Sequence, residues 1–358
     1  MGIYIFQIAF IILLPPFLRR FRNYKGLYCT LCAILLICVM GFRTEDLGLY
    51  DVKNVYFPMF DTVKQLSFSE LIIKYPIERG NLFQICSKLF SYISENKYIW
   101  LFVTSIPYIA AMRHLIYKYS ATIYVASFCF FMICGMRIYQ TNFYLIRHSI
   151  AMAILVLAFD SILNKDLKKF LILTLIATMF HSTAAVFFIA YPLARIRPSW
   201  KQLIATIAGV YIVVYLSKDV MSAIFLILGD DNYYSSFQTR NSGFDSFTFP
   251  IICCALFLIA FFVFKKNAIN TGLEAVTINM LCLGAIFMGA ATMIGEFYRL
   301  SYFFMTVSFV GLGNIFHSIK TKYLRVGLFF CIFVGLFWFM IRGLEPNGLV
   351  PYKSWLFQ

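Results

Sequence analysis

The chain has 358 residues, of which 61% are hydrophobic and only 13% charged, and its mean hydropathy is +0.79. Ordinary globular proteins carry roughly 25% charged residues, so this composition excludes a soluble globular protein. The formal net charge of +15 is typical of proteins that bind nucleic acid, but the distribution of the charges along the chain favours another explanation.

Apolar runs recur along the whole sequence, and each is long enough to cross a ~30 Å hydrocarbon core as a helix. They predict an all-α, polytopic integral membrane protein with a single membrane domain over residues 1–358 and about ten transmembrane helices. The first run is expected to be retained, with its amino terminus outside, because it lacks the flanks of a signal peptide. The predicted spans lie near 3–18, 27–42, 98–116, 121–136, 149–163, 202–217, 249–264, 275–293, 300–316 and 326–341.

The segment 170–194 decides the topology of everything after it. As one crossing it would place the later basic loops outside, against the positive-inside tendency. As a re-entrant or broken pair of half-helices around His181, it returns those loops to the cytoplasm; a single tilted helix is the alternative. With the pair, 17 of the 31 Lys and Arg residues and 3 of the 16 acidic residues lie inside. The positive charge then faces anionic inner-leaflet lipid, and no nucleic-acid partner is implied.

Two outer loops are predicted, at about 43–97 and 218–248, and within the first Asn81 to Tyr92 has the pattern of an amphipathic helix lying in the interface. The ten cysteines suggest no disulfide framework. Cys29 and Cys32 form a CxxC inside an apolar helix, where small apolar filling is the simpler interpretation. No metal site and no cofactor are predicted.

Four arginines are predicted at the outer face, where the positive-inside tendency disfavours them. Interfacial anchoring would explain any one of them, but four from distant segments suggest a shared ligand. A guanidinium binds phosphate oxygens bidentately and stays charged, which predicts a phosphate or pyrophosphate group at the outer leaflet. The four are Arg43, Arg79, Arg147 and Arg299.

The other polar residues near this face are acids, imidazoles and tyrosines. The acids can act as ion-pair partners of the arginines or as general bases. His181 lies deep in an apolar stretch, where an ionisable group is either functional or a hydrogen-bonded structural imidazole. Tyrosines beside charged groups suit sugar rings. The candidate acids are Glu45, Asp46, Asp51, Glu78 and Glu296, and the choice between Asp46 and Asp51 is open; the other candidates are His148 and the tyrosines Tyr50, Tyr56, Tyr233, Tyr234 and Tyr298.

Short motifs in order along nearly the whole chain resemble the EpsG/Wzy-like family of polysaccharide polymerases. The most specific is Arg147-His148-Ser149-Ile150-Ala151, similar to the R-Q-x-I-A pattern of that family, with His148 in place of glutamine. The others are Gly41-Phe42-Arg43, Gly48 to Asp51 (one residue longer than the family's G-x-D), Tyr56 to Phe60, Ile77-Glu78-Arg79-Gly80, Ala177 to Ala184 around Phe180-His181, Glu296 to Phe303, and Pro351-Tyr352.

The resemblance implies a GT-C-like membrane glycosyltransferase in the bacterial cytoplasmic (inner) membrane, with its active site facing outside. It would transfer a growing glycan from undecaprenyl pyrophosphate to a sugar hydroxyl of an incoming undecaprenyl-pyrophosphate-linked repeat unit, with inversion and without metal. The product would be an O-antigen, capsule or exopolysaccharide, and a flippase and a chain-length regulator are candidate partners. The implied roles are pyrophosphate binding for Arg147, Arg299 and Arg43, catalysis for His181, Glu78 or Asp51, and substrate binding for Glu296, Tyr298, His148, Arg79 and Tyr56.

Two rival functions remain open from the sequence. One is an O-antigen ligase or another polyprenyl-dependent glycosyltransferase, in which the acidic residues of the first outer loop could instead bind a divalent cation. The other is a flippase or transporter for lipid-linked sugars, for which ionisable groups along a path through the membrane and internal repeats are expected. The sequence shows neither feature.

Overall fold

The computed structural model describes residues 1–18, 20–48, 50–75, 81–201, 203–205, 207–208, 248–267, 272–291 and 295–357. No strand occurs in these ranges, and helices account for most of them. The all-α class predicted from the apolar runs is therefore confirmed.

The helices of the amino-terminal half include short elements in the predicted first outer loop as well as long apolar ones. A π-helical turn, Val52–Tyr56, precedes α3, and a 3₁₀ segment, Ser182–Ile189, follows α10. The helices are α1 (Gly2–Leu18), α2 (Tyr24–Gly41), α3 (Phe57–Gln65), α4 (Phe68–Lys74), α5 (Leu82–Ser91), α6 (Lys97–Tyr119), α7 (Ile123–Gly135), α8 (Ile138–Thr141), α9 (Ile146–Leu163), α10 (Leu167–Phe180) and α11 (Ala190–Leu193).

The carboxyl-terminal half contains four long helices: α12 (Thr248–Lys266), α13 (Gly272–Ala290), α14 (Phe297–His317) and α15 (Lys322–Leu344). These four and α2, α6 and α9 are each long and apolar enough to cross a membrane. The predicted spans in the described residues each coincide with a helix, although α1 and α7 are shorter apolar helices of fewer than 18 residues. The predicted span at 202–217 and the outer loop at 218–248 lie almost entirely outside them.

Several helices begin where a side chain caps the first turn. Asn23, Asn96, Thr122 and Asp166 each accept a hydrogen bond from a backbone N–H of the helix that follows. Such caps satisfy amide groups that have no intrahelical partner and contribute about 1 kcal/mol each. The predicted interfacial helix at Asn81 to Tyr92 is also confirmed as a helix, α5.

The chain reverses direction at His181. Helix α10 ends at Phe180, and His181 has the extended conformation (φ −153°, ψ 110°). The rings of Phe187 and Phe188 then lie 6.2 and 6.3 Å from the ring of Phe170, near the start of α10. The segment after His181 therefore runs back along α10, so the predicted re-entrant pair is confirmed and the single tilted helix is excluded.

The described chain divides into two compact units, Met1–Phe188 with Phe309–Gln358 and Ile189–Ser308. In the second unit α12 packs on α13, Ser301 Oγ donates to the Gly284 carbonyl at 2.6 Å, and the Phe287 ring stacks on that of Phe304 at 5.5 Å. Small residues and hydroxyls of this kind allow close helix packing in lipid.

In the first unit, side chains link helix ends that the sequence places on the same side of the membrane. On the predicted inner side, Lys25 Nζ donates to the Ser120 carbonyl at 3.0 Å and Lys118 Nζ donates to Asp160 Oδ1 at 2.7 Å. At the opposite end, Tyr98 Oη donates to Glu45 at 2.6 Å. We call that opposite end, where α2 ends and α6 and α9 begin, the predicted outer end.

The carboxyl-terminal segment 345–357 lies across the predicted outer end. The Thr44 amide donates to the Lys353 carbonyl at 3.1 Å, and Trp355 Nε1 donates to the Gly41 carbonyl at 3.1 Å. Trp355 also stacks on Tyr98, with ring centroids 5.5 Å apart. This segment thereby joins the end of α2 to the start of α6.

Arg137 makes a second link at this end. It is buried, its backbone is left-handed (φ 58°), and both its Nε and Nη2 donate to the Phe339 carbonyl of α15. Its guanidinium also lies over the Phe339 ring, and a Cβ atom at Gly343 would overlap it. Glycine at position 343 is therefore required by the close approach of the arginine.

Gly343→Ala should destabilise the protein by about 1–3 kcal/mol, because the added methyl group must displace a guanidinium held by two hydrogen bonds and a ring. Gly335→Ala is the matched control, since nothing lies within 4 Å of a Cβ at that position of the same helix. Alanine should there be neutral or stabilise by up to ~1 kcal/mol. Unfolding midpoints in detergent measure both, and equal midpoints would contradict the packing described for Arg137.

Candidate functional site

A cavity of about 550 Å³ lies in the first unit, beside the start of α9 and the helices of the predicted first outer loop. Small-molecule sites typically measure ~300–1,000 Å³, so its size suits a ligand. Polar, aromatic and apolar side chains all contribute to its walls. The lining residues are Asn54, Val55, Tyr56, Pro58, Met59, Thr62, Lys74, Tyr75, Asn81, Phe83, Gln84 and Arg147.

An aromatic cluster fixes the elements that carry these side chains. The Tyr56 ring meets Phe83 edge to face at 5.7 Å, and Phe60 stacks on Trp100 at 5.0 Å. Ile146, the first residue of α9, belongs to the same cluster. The turn before α3, the start of α5 and the start of α9 are thus held together, and this places Arg147 at the cavity.

Arg147 is half-buried, and its backbone N–H donates to Tyr56 Oη at 3.5 Å. Among the described lining residues, Arg147 and Lys74 are the charged ones, and both are cationic. Two cations facing one cavity attract an anionic group, and a guanidinium favours phosphate oxygens. The structure therefore brings together predicted site residues Arg147 and Tyr56.

The two candidate histidines contact each other. His148, which follows Arg147 and is 1% exposed, has its ring 5.4 Å from that of His181, at an interplanar angle of 83°. His181 lies at the turn of the hairpin, and Phe180 beside it packs on the aromatic cluster that contains Tyr56 and Phe83. The sequence does not reveal this pairing, because the two residues belong to different motifs.

Arg43 has no exposed surface. Its Nε and Nη2 donate to the Phe143 carbonyl at 3.1 and 2.6 Å, and its Nη1 donates to the Met40 carbonyl and, at 3.2 Å, to Ser105 Oγ. It is not among the residues that line the cavity. The expectation that Arg43 binds pyrophosphate directly does not fit this burial; the contacts give it the role of holding α2, α6 and the segment before α9 together.

The acids of the first outer loop have different surroundings. Asp51 is half-buried and immediately precedes the π-helical turn that carries Tyr56. Asp46 pairs with Lys53 at 2.8 Å, and this hydrogen bond lowers the pKa of its carboxyl group below the usual value. A carboxylate with a lowered pKa is a poor proton acceptor, so the environment of Asp46 does not favour it over Asp51 as a base.

Three further candidates contact one another in the second unit. Arg299 Nη1 pairs with Glu296 at 2.8 Å, and Arg299 Nε donates to Tyr298 Oη at 3.2 Å. These contacts join Glu296, Tyr298 and Arg299 into a local group at the start of α14. Their predicted place in the same pocket as Arg147 stays a prediction, and Glu78 and Arg79 lie outside the described residues.

Sequence reasoning missed Lys74, Asn81 and Gln84 as lining residues. The spacing of Asn81 and Gln84, three residues apart in an amphipathic helix, places both on one face, and that face proves to be the buried one. Two polar residues on the face of an amphipathic helix that packs against the protein are the sequence feature that could have identified these lining residues. No group of three or more possible metal ligands occurs in the described ranges, and metal independence stays a prediction.

One comparison with known proteins gives a match. The model of the EpsG family matches residues 25–354, which is nearly the whole chain. This supports a membrane-embedded polysaccharide polymerase of glycosyltransferase type in general. No curated protein and no solved structure matches the chain.

Arg43→Lys should lower stability by about 3 kcal/mol, because an ammonium group cannot make all the hydrogen bonds that the planar guanidinium donates to the Phe143 and Met40 carbonyls and to Ser105 Oγ. Arg113→Lys is the control. It affects one side-chain hydrogen bond, from Arg113 Nη2 to Thr30 Oγ1 at 3.0 Å, so the loss of stability should stay below about 1 kcal/mol. Unfolding midpoints in detergent measure the difference. Normal stability with a loss of ligand affinity would instead assign Arg43 to the ligand.

Proposed function

The chain belongs to the EpsG family, and we propose that it polymerises lipid-linked oligosaccharide repeat units at the outer face of the bacterial cytoplasmic membrane. The donor is a growing glycan on undecaprenyl pyrophosphate, and the acceptor is a sugar hydroxyl of an incoming unit on the same lipid. The observation that carries the proposal is the cavity with Arg147 and Lys74 in its wall; the residue after Arg147 is the buried His148, whose ring contacts that of His181.

The reaction replaces one bond at the anomeric carbon with another. The acceptor hydroxyl oxygen attacks this carbon as its bond to the pyrophosphate oxygen breaks, and the bonding electron pair leaves with undecaprenyl pyrophosphate. Attack opposite to the leaving group inverts the anomeric configuration. No nucleotide is needed, because the diphosphate already activates the donor.

The cations act on the leaving group. Negative charge on the bridging oxygen grows as the bond breaks, and fixed positive groups in a site that excludes water stabilise that charge strongly. Arg147 can bind two phosphate oxygens through its planar fork, and Lys74 adds a second positive charge. Arg299, which pairs with Glu296 and contacts Tyr298, is proposed as a further contact of the pyrophosphate.

The proton of the acceptor hydroxyl needs a base. A free imidazole can accept a proton near neutral pH, and His148, whose ring contacts that of His181, follows Arg147 in the sequence. We assign this step to His181 and a positioning role to the more deeply buried His148. Asp51 is the alternative base, and Glu78, Arg79, Glu296, Tyr298 and Tyr56 remain proposed substrate contacts.

Arg147→Lys should reduce polymer formation roughly a hundredfold, because an ammonium keeps the charge but cannot bind the leaving group bidentately. The assay is extension of a lipid-linked repeat unit by the purified protein in detergent, which a flippase would not perform. Arg20→Lys, at an exposed position between α1 and α2, is the control and should behave like the wild type. Polymer of normal length and rate from Arg147→Lys would refute its assignment.

His181→Gln should lower the turnover number by about a hundredfold or more and flatten the acidic limb of its pH profile, because glutamine cannot accept a proton. The KM for the acceptor should change little. A slower enzyme that keeps the pH profile of the wild type would make His181 a structural residue of the hairpin turn. In that case Asp51→Asn becomes the next variant to measure.

A further inference from the structure

The cavity that holds Arg147 also contains polar groups that a diphosphate cannot use. Asn81 and Gln84 are 2% and 7% exposed, and both line the cavity. Asn81 Nδ2 donates to the Tyr75 carbonyl at 2.9 Å, but Asn81 Oδ1 and Gln84 Oε1 accept no hydrogen bond from the described chain. Both oxygens are acceptors, and an anion offers them no proton.

Leaving these acceptors without a partner has a cost. A buried polar atom that lacks a hydrogen bond destabilises a protein by about 1–3 kcal/mol, so such atoms in a native structure call for an explanation. Two of them at the start of α5, on residues that line the same cavity, point to a ligand that donates hydrogen bonds. Hydroxyl groups and the N–H of an acetamido group are such donors.

The other residues that line the cavity suit a sugar ring, which would carry these hydrogen-bond donors. Tyr56 and Phe83, held edge to face at 5.7 Å, line the cavity together with Tyr75, Pro58 and Met59. Aromatic and apolar surface beside amide acceptors matches a pyranose ring, which has apolar C–H faces and hydroxyl groups at its edge.

We propose that Asn81 and Gln84 form a subsite for the sugar attached directly to the diphosphate, whose phosphates contact Arg147 and Lys74. The inference rests on the proposed function and adds to it which part of the substrate this cavity binds. An uncharged sugar is expected, because the described lining residues offer amide acceptors and no carboxylate. The acceptor repeat unit then binds elsewhere on the protein.

The test compares two probes on the full-length protein in detergent, by calorimetric titration. One is farnesyl diphosphate, and the other is farnesyl diphosphate carrying glucose, galactose, N-acetylglucosamine or N-acetylgalactosamine. At least one sugar should tighten binding about tenfold over the bare diphosphate, as expected for satisfying buried acceptors. Arg147→Lys should weaken both probes by the same factor and leave their ratio unchanged.

Gln84→Met keeps the length of the side chain and removes the oxygen, so it should abolish most of the sugar-dependent gain while leaving farnesyl diphosphate affinity unchanged. Gln140→Met is the matched control: Gln140 is 3% exposed, its Oε1 also accepts no bond from the described residues, and it does not line the cavity. This control should keep the full gain. Gln84→Glu keeps the native shape, and its negative charge should weaken both probes.

The outcomes distinguish a failure of the proposed function from a failure of the sugar subsite alone. If the wild type binds no probe, the proposed function fails and the subsite fails with it. If both probes bind equally to the wild type, or if Gln84→Met and Gln140→Met lose the sugar gain alike, the subsite is refuted while diphosphate binding stands. Unchanged affinity of Gln84→Glu for both probes would also refute it.

Discussion

Backbone that leaves the helical hydrogen-bond pattern inside a membrane must find its partners in the protein, because lipid offers none. The segment between α7 and α9 is the main case in the first unit. It is buried throughout, and it contains the left-handed Arg137 and the carbonyl group of Phe143. Two buried arginines act here: Arg43 satisfies the Phe143 carbonyl of this segment, and Arg137 of the segment binds the Phe339 carbonyl of α15.

This constraint divides the charged residues of the predicted outer end into two kinds. Arg43 and Arg137 are buried and occupied by carbonyl oxygens, and Asp46 is occupied by Lys53. Arg147 and Lys74 instead face the cavity. Buried guanidinium groups are costly to desolvate unless they are well bonded, so the first kind stabilises the scaffold. For Arg147 the two kinds are connected, because Arg43 binds the segment that immediately precedes α9.

The sequence predicts the helices and the hairpin well, because both follow from quantities summed over many residues. The apolar runs give the spans, and the distribution of Lys and Arg favours a reversal at His181, which the packing of Phe187 and Phe188 on Phe170 confirms. The predicted first-loop helix is present for the same reason, since its pattern extends over ten residues.

The roles of single polar residues could not be predicted in the same way. Arg43 and Arg147 both occur at the ends of apolar helices, and sequence alone gives both the same status. What separates them is whether a carbonyl oxygen such as that of Phe143 lies within reach, and this depends on the path of a segment 100 residues away in the chain. The pairing of His148 with His181 depends on the same kind of long-range geometry.

The choice of amides in the cavity follows from its electrostatics. Carboxylates accept hydrogen bonds from sugar hydroxyls more strongly than amides do, but a carboxylate in the same wall would pair with Arg147 or Lys74 and repel the diphosphate. Asn81 and Gln84 provide acceptor oxygens without that charge, which suits the proposed binding of a doubly anionic group and its neutral sugar in one cavity. Under this proposal the hydrogen-bond partners of the two oxygens belong to the substrate.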